Sequence, residues 1–287
     1  MNNQSELKKF AKLNFLTSTN QEDIKKLTLC TTRLDLRIDG PITVNTFSPM
    51  EKKNKSLWPH NDFNYQISSL GFRASTYLKD SDIGAFGCSF TFGQGLPDDS
   101  LWPSLLSKSN GMTSYNFGQP ATSIKSICDL FSIVTNVVQI KHAVFLLPPY
   151  QRLQISAKNK QTRNIDLISL IPNYTSNLAS NYDLDGREIY KSLPDEELLK
   201  IFKDSVYLIE FIAETKGIKT YYSSWDQETY KVLTYMNNKL MLLPEWTSKV
   251  THNGVVEYLD KDLARDMHHP GIKHHNHWVR QIKDFIK

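Results

Sequence analysis

The stretch Gly84–Leu96, GAFGCSFTFGQGL, joins a short apolar run to a glycine-rich turn. The other predicted elements of the chain can be assigned from their positions relative to this stretch. The run Ile83–Phe86 is typical of a buried strand, and Asp98 to Ser100 beyond the turn carry a helix-start signal. Ser89 therefore lies at a predicted strand-to-helix turn. Because glycines let the backbone bend sharply and approach a bound group closely, this turn is suited to presenting a nucleophile.

From Asp82 onward, short apolar runs alternate with amphipathic segments. The runs predicted to be strands are Ile83–Phe86, Thr113–Phe117, Ala143–Leu147 and Ile218–Ser223. The segments predicted to be helices are Leu101–Ser107, Ser123–Val138, Glu196–Lys216 and Gln227–Met236. This alternation predicts an α/β fold of three layers, α/β/α, with a central parallel sheet. Loops at the carboxyl ends of parallel strands share one crevice, so we expect Ser89, Gly118 and Pro148 to face it.

Two segments depart from this alternation. Residues 1–75 are predicted to form an N-terminal extension with a short helix at Ser5–Leu13, a β-hairpin over residues 34–47 and a polar loop at Ser48–Ser56. Residues 76–287 then form the main domain. Within it, residues 154–194 are polar and lack sustained periodicity, so we expect an inserted loop or lid over the crevice.

Composition narrows the class of protein. The 287 residues are 40% hydrophobic, enough for a substantial core, and the net charge of +4 comes with no basic patch interleaved with aromatics. We therefore predict no nucleic-acid partner. No segment has the pattern of a signal peptide or a membrane span, so a cytoplasmic location without a membrane partner is expected. Cys30, Cys88 and Cys128 show no metal spacing, which fits a reducing compartment.

A second group of reactive side chains, Asp266-Met267-His268-His269-Pro270, precedes an amphipathic C-terminal segment. A serine hydroxyl is a poor nucleophile near neutral pH. It needs an imidazole to accept its proton and a carboxylate to orient that imidazole. Ser89, His269 and Asp266 supply these three residue types.

Both groups resemble blocks of the SGNH (GDSL-type) hydrolases, a flavodoxin-like family. The serine turn matches the first block, Gly-x-Ser-x-Thr-x-Gly-x-Gly, at Gly87, Ser89, Thr91, Gly93 and Gly95. Cys88 replaces the usual aspartate before the serine, and Asp266 with His269 matches the last block, Asp-x-x-His. Upstream, Leu70-Gly71-Phe72-Arg73 resembles a segment of many bacterial members, or is a loop that packs Phe72 on the core.

The resemblance implies a role for each matching residue. Ser89 would attack the substrate, His269 would carry the proton, and Asp266 would hold His269. Gly118, in a stretch Asn116 to Pro120 that resembles the second block, would join the Ser89 N–H in stabilising the oxyanion. The resemblance implies no cofactor and no metal.

The third block of the family, Gly-x-Asn-Asp, is missing. Its place after the third predicted strand is taken by Pro148-Pro149-Tyr150-Gln151-Arg152. Arg152 is the predicted substitute for the lost oxyanion donor, or the group that holds an anionic part of the substrate, because a guanidinium offers several N–H donors and a positive charge. The alternative is an arginine on a solvated loop.

The resemblance implies a serine esterase that acts on a small-molecule or carbohydrate ester, such as an acetylated sugar, through an acyl-serine. An acyltransferase of the same fold would use the same residues, and a catalytically silent binding or structural protein is a third hypothesis. Two further alternatives concern other reactive side chains. Cys88 could replace Ser89 as the nucleophile, and the histidines at positions 268, 269, 274, 275 and 277 could bind zinc with Asp266.

Overall fold

The structure is a computed structural model that describes residues 42–45, 49–67, 72–73, 80–136, 138–161, 165–170, 182, 186–236, 240–247, 249–252, 255–258 and 262–287. Two parts of the predicted N-terminal extension, the helix at Ser5–Leu13 and the strand over residues 34–38, lie outside the described residues.

The described strands are β1 (Ile42–Val44), β2 (Tyr65–Ile67), β3 (Asp80–Gly87), β4 (Ser114–Asn116), β5 (Gln139–Leu147), β6 (Leu153–Lys158), β7 (Ile165–Leu170), β8 (Lys219–Ser224), β9 (Lys249–His252) and β10 (Val255–Tyr258). The described α-helices are α1 (Pro49–Asn54), α2 (Ser89–Phe92), α3 (Trp102–Asn110), α4 (Ile124–Val134), α5 (Gly186–Ser192), α6 (Asp195–Lys216), α7 (Gln227–Tyr235) and α8 (Ile272–Ile282). Short 3-10 turns span Lys55–Leu57 and Asp98–Ser100.

The central sheet has the strand order β4-β3-β5-β8, and its three pairings are all parallel. Each strand predicted from an apolar run is present, and the predicted α/β fold with a central parallel sheet is confirmed. Since the four strands run the same way, their carboxyl ends lie at one edge. The loops that follow Gly87, Asn116, Leu147 and Ser224 all leave from this edge.

Alternate residues of the strands pack on opposite faces of the sheet, because successive side chains of a strand point to opposite sides. On one face, Ile83 and Val144 join a buried cluster with Trp102 of α3 and Trp278 of α8. On the other face, a second cluster includes side chains from β3, β5, α4 and α6, among them Phe86, Phe145, Phe131 and Phe202. Burying a side chain of this size contributes roughly 1.5–3 kcal/mol, so these two layers stabilise the sheet on both sides.

Two helices at the carboxyl edge begin with a side-chain cap. Ser123 accepts a hydrogen bond from the N–H of Ser126 at the start of α4. Asp226 accepts one from the N–H of Thr229 at the start of α7, at 2.9 Å. A cap of this kind is worth about 0.5–2 kcal/mol, and here it also fixes the loop between strand and helix.

The predicted loop at 154–194 is wrong where the segment is regular, in strands β6 and β7 and in helix α5 near its end. Strands β6 and β7 form an antiparallel hairpin in which Leu153 pairs with Leu170 and Ile155 with Ile168. Ala157, Ile168 and Leu170 are buried in a cluster of their own. The alternation of Leu153, Ile155 and Ala157 has the period of a strand, but the polar residues between them obscured it. A lid function for the segment stays a prediction.

The predicted polar loop at Ser48–Ser56 is also wrong, because helix α1 begins at Pro49. Proline is favoured in the first turn of a helix, where its missing N–H costs nothing. Strand β1 pairs with β2, which lies beyond this helix, at Ile42 with Ile67 and Val44 with Tyr65. No helix of the described segments has the length and apolar composition needed to span a membrane.

Candidate active site

Ser89 is the first residue of α2, the short helix that follows β3 at the carboxyl edge of the sheet. The helix ends at Gly93, whose left-handed backbone (φ 75°) directs its N–H to the Ser89 carbonyl at 2.8 Å. A Cβ at position 93 would lie 2.0 Å from the side chain of Leu101, so a larger residue would disrupt the turn. The glycine pattern of the sequence therefore corresponds to a tightly packed turn around the serine.

Asp266 and His269 lie in a compact loop before α8. The Ala264 N–H donates to the His269 carbonyl and the Met267 N–H to the Ala264 carbonyl, both at 2.8 Å. Met267 has a left-handed backbone (φ 58°), a strained conformation for a residue with a side chain. The Asp266 carboxylate stabilises this loop, since its Oδ1 accepts from the N–H groups of His268 and His269, each at 3.0 Å.

The structure brings the three predicted residues into one chain of hydrogen bonds. His269 Nε2 lies 2.9 Å from Ser89 Oγ, and His269 Nδ1 lies 2.5 Å from Asp266 Oδ2. Because an ionised carboxylate only accepts, Nδ1 carries the imidazole proton and Nε2 accepts from the Ser89 hydroxyl. Asp266 is fully buried, whereas the side chain of His269 is 11% exposed, so the imidazole is the member of the pair that solvent or substrate can reach.

The surroundings keep Asp266 ionised. Burial alone would raise the pKa of its carboxyl group. Hydrogen bonds from the His269 ring and from the N–H groups of His269 and His268 act in the opposite direction and lower the pKa below its ordinary value of 3.8. A carboxylate held in this way orients the imidazole and stabilises its positive charge.

A buried arginine next to Asp266 connects this loop to the N-terminal segment. Arg265 Nε donates to Glu51 at 2.7 Å, and the two side chains are fully buried. Glu51 also accepts from the hydroxyl of Tyr65 at 2.7 Å, and that hydroxyl in turn accepts from the N–H of Gly95 at 2.7 Å. The two reactive loops are thus joined through Glu51 and Tyr65, in addition to the direct bond from the Arg265 N–H to the Gly95 carbonyl at 2.8 Å.

A second buried arginine, Arg73, holds the serine turn from the other side. Its guanidinium donates to the Phe92 carbonyl at 2.9 Å and to the carbonyls of Gly93 and Leu96. It also forms an ion pair with Asp98. Sequence reasoning missed Arg73 and Arg265 as supports, because neither lies in a periodic pattern and their partners are distant in sequence. The one available signal was that Arg73 follows Phe72 and Arg265 precedes Asp266, two residues already noted in the sequence.

The structure does not give Gly118 the oxyanion role that the resemblance implied. Its N–H donates to the side chain of Asn116 at 2.9 Å, so this donor is already engaged. Gly118 instead allows a close approach of two loops. A Cβ there would lie 2.3 Å from the backbone nitrogen of Phe92, and Asn116 also bonds the Thr91 carbonyl at 2.8 Å.

Arg152 lies at the same edge of the sheet and is buried, which contradicts the solvated-loop alternative. Its guanidinium carbon is 5.8 Å from the centre of the Trp225 ring, and its Nη1 lies 3.4 Å from the Thr122 carbonyl. Its Nε is buried with no acceptor. The structure thus places Arg152 among the loops after β4 and β8, beside the loop that carries Ser89.

The other residues considered from the sequence have structural contacts of their own. Cys88 is fully buried, and its sulfur accepts from the indole N–H of Trp225 at 3.2 Å. His275 Nδ1 accepts from the N–H of Trp102 at 3.0 Å. Among the described residues, no group of three or more His, Cys, Asp or Glu side chains is arranged to hold a metal ion.

Comparisons with known proteins give matches in structure. No protein-family model matches the chain, and no curated protein matches it. TesA has a TM-score of 0.44 and 11% identity, over 71% of this chain and 97% of that one. An acetyl xylan esterase, Est2A, from the rumen bacterium Butyrivibrio proteoclasticus has a TM-score of 0.43 and 10% identity, over 78% of this chain and 66% of that one. AlinE4, an SGNH-hydrolase family esterase, has a TM-score of 0.35 and 14% identity, over 60% of this chain and 78% of that one.

Proposed function

We propose that the chain is a serine esterase in which Ser89 is the nucleophile, His269 the general base and Asp266 the carboxylate that orients His269. One observation carries the proposal: Ser89 Oγ and His269 Nε2 lie 2.9 Å apart while Asp266 holds the opposite ring nitrogen at 2.5 Å. An imidazole in this position can take the serine proton as the hydroxyl attacks, and it cannot rotate away without breaking the bond to the buried carboxylate.

The reaction then proceeds in two halves. Ser89 Oγ forms a bond to the ester carbonyl carbon while its proton passes to His269 Nε2. The tetrahedral intermediate collapses as the bond to the alcohol oxygen breaks, and the alcohol leaves with the proton from Nε2. Water attacks the resulting acyl-serine, gives a proton to Nε2, and releases the carboxylic acid with the return of that proton to Ser89.

The negative oxygen of the intermediate requires a donor close to Ser89. Among the residues that the structure describes, no acceptor contacts the N–H of Ser89, which opens α2. We assign this N–H to the oxyanion. A single backbone donor of this kind is worth about 10² to 10³ in kcat.

The proposed substrate is a short acyl ester, such as an acetyl group on a carbohydrate. Its support is the resemblance of the Ser89 turn and the Asp266-to-His269 block to those of SGNH hydrolases. The chemistry itself requires only that the ester carbonyl can reach Ser89 Oγ.

Hydrolysis of 4-nitrophenyl acetate tests the proposed roles. Ser89→Ala and His269→Ala should each lower kcat by about 10⁴ or more, since members of such a triad act as a unit. His268→Ala is the matched control, because its exposed ring meets the His269 ring edge-on but makes no hydrogen bond to Ser89 or Asp266 in the described structure, and it should keep kcat within about threefold. Activity should also survive EDTA. Wild-type rates in Ser89→Ala, or loss of activity with EDTA that zinc restores, would refute the assignment.

A further inference from the structure

Arg152 is a buried cation without an acid partner in the described structure. The residue is 7% exposed, and its Nε has no hydrogen-bond acceptor. The buried arginines Arg73 and Arg265 differ from it, since each forms an ion pair, with Asp98 and with Glu51 respectively. The described contacts of the Arg152 guanidinium are the carbonyl of Thr122 at 3.4 Å and the ring of Trp225 at 5.8 Å.

The acidic groups near this loop are engaged elsewhere. Asp195 accepts from the hydroxyl of Tyr150 at 2.8 Å, and Asp226 caps α7 through Thr229. Tyr190, which also lies near Arg152, is a neutral phenol, because burial raises its pKa to about 12. These described neighbours therefore leave the charge of Arg152 uncompensated.

The backbone that carries Arg152 is held on several sides. The Arg152 N–H donates to the Pro149 carbonyl at 3.0 Å, and the Tyr150 N–H donates to Thr229 Oγ1 at 2.8 Å. The Gln151 carbonyl lies 2.9 Å from the hydroxyl of Tyr190. On the other side of Arg152, the Gln154 side chain accepts from the N–H of Ser123 at 3.2 Å. These hydrogen bonds fix the backbone at Arg152, so its guanidinium projects from a rigid part of the loop.

The same contacts place Arg152 beside the reactive serine. Trp225, over which the guanidinium lies, donates its indole N–H to Cys88 Sγ at 3.2 Å. The ring of Trp225 is also stacked on Phe90, with the ring centres 4.5 Å apart. Cys88 and Phe90 are the residues on either side of Ser89. The guanidinium therefore lies among the loops that would surround an ester bound at Ser89.

A buried charge is costly unless it is paired, so an unpaired guanidinium beside the reactive serine points to a partner carried by the ligand. Nη1 is directed toward Thr122 and Nε is enclosed by protein atoms, so Nη2 is the donor that a ligand can reach. An anion such as a carboxylate or a phosphate would accept a charge-assisted hydrogen bond from Nη2 and compensate the buried charge.

Resting on the esterase function proposed above, we propose that Arg152 binds an anionic group, a carboxylate or a phosphate, on the ester substrate. The substrate is then an acidic ester, and Arg152 determines specificity for it by recognising a part of the molecule that does not react. A role of this kind affects kcat/KM for anionic esters and leaves neutral esters nearly unchanged.

Matched ester pairs test this specificity. One pair, mono-4-nitrophenyl succinate and 4-nitrophenyl butyrate, places the charge on the acyl side, and a second, 4-acetoxybenzoate and its methyl ester, places it on the alcohol side. The wild type should favour the charged ester of at least one pair, and Arg152→Met should lower kcat/KM for that ester by about tenfold to a hundredfold while the neutral ester changes by less than threefold. Arg152→Lys should be intermediate. Arg280→Met, at an exposed position of α8, is the control and should match the wild type.

A binding measurement separates this proposal from the esterase function. Succinate and inorganic phosphate are titrated into the Ser89→Ala protein by calorimetry, and at least one should bind, with binding lost in Ser89→Ala/Arg152→Met and kept in Ser89→Ala/Arg280→Met. If the anion binds through Arg152 but Ser89 proves unreactive, the esterase function is wrong and the anion site stands. The proposal would be overturned if Arg152→Met lowered kcat/KM equally for charged and neutral esters, or if the wild type showed no preference for a charged ester. It would also be overturned if anion binding were absent or did not depend on Arg152.

Discussion

The residues on either side of Ser89 determine its surroundings at the scale of single side chains. Phe90 stacks on Trp225 and also meets the His269 ring edge-on, with ring centres 5.8 Å apart. Cys88 bonds to the indole of Trp225, whereas His269 bonds to Ser89. The thiol therefore has a packing partner of its own, and the imidazole is directed at the serine.

The cysteine can be separated from the serine by mutation. Cys88→Ala should keep kcat within about tenfold of the wild type, since it removes one weak acceptor and little volume beside the turn. Cys88→Ser, which retains an acceptor for Trp225, should lie closer to the wild type. Steady-state hydrolysis of 4-nitrophenyl acetate checks both. Abolished turnover in Cys88→Ala, with turnover retained in Ser89→Ala, would assign the nucleophile to Cys88.

His275 illustrates how burial turns a titratable residue into a structural one. Its Nδ1 accepts the N–H of Trp102, and burial lowers its pKa from the ordinary 6.5 to about 3. Between these two values the unfolded chain binds a proton that the folded chain does not. The stability contributed by neutral His275 is therefore present above pH 6.5 and is lost as the pH falls toward 3.

This titration predicts a pH-dependent stability. Lowering the pH from 7 to 5 should cost the wild type about 2 kcal/mol of unfolding free energy from His275 alone. In His275→Asn, whose side-chain oxygen can accept from the N–H of Trp102, the free energy of unfolding should fall by about 2 kcal/mol less than in the wild type over the same pH interval. His268→Asn, at an exposed position, should behave as the wild type. Urea denaturation at the two pH values measures these free energies of unfolding. If the free energy fell by the same amount in the wild type and in His275→Asn, the prediction would be contradicted.

The loop with Asp266 and His269 depends on elements that lie far away in the sequence. Arg265 places a positive charge against Glu51 of α1, and the Asn54 side chain, at the end of the same helix, donates to the Asp266 carbonyl at 2.9 Å. The described N-terminal residues 49–67 thus contact the loop that carries the proposed base. Their contribution is to hold this loop against the serine turn.

Breaking the buried pair should therefore lower the stability of the fold. Glu51→Gln leaves the buried Arg265 with the half-exposed Asp62 as its remaining described counter-charge and should lower the free energy of unfolding by about 3 kcal/mol. A matched control is Glu188→Gln, which removes the exposed pair with Lys191 and should cost less than about 1 kcal/mol. Chemical denaturation compares the two. If Glu51→Gln were no more destabilising than Glu188→Gln, the pair would not support the loop.

Helices and strands with strong periodicity were predictable, and elements whose signal is tertiary were not. Strand β3 was predicted from the apolar run at Ile83–Phe86, because a strand buried on both faces is apolar throughout. Helix α6 was predicted from the amphipathic segment at Glu196–Lys216, because a helix that buries one face repeats its apolar residues along that face. Helix α1 leaves little such pattern, since Glu51 is buried through a pairing with Arg265 that no local sequence shows. The β6–β7 hairpin was missed because only alternate residues of a two-stranded unit need to be apolar.

On the scale of the whole molecule, the parallel sheet explains how residues separated by 180 positions can meet. Strand β3 delivers Ser89 to the carboxyl edge, and the loop before α8 returns the chain to that edge. The pairing of Ser89, Asp266 and His269 could be predicted because the chemistry demands those three residue types. The engagement of Gly118 by Asn116 and the burial of Arg152 could not, since both depend on how loops after different strands pack together.

The arrangement of Ser89, His269 and Asp266 is expected to activate one serine, and covalent labelling measures that activation. A fluorophosphonate probe, followed by digestion and mass spectrometry, should modify the wild-type protein at Ser89. Labelling should be absent in Ser89→Ala, at least about a hundredfold slower in His269→Ala, and unchanged in His268→Ala. Reaction of the wild type at another residue, or labelling of Ser89 in His269→Ala at the wild-type rate, would contradict the proposed activation.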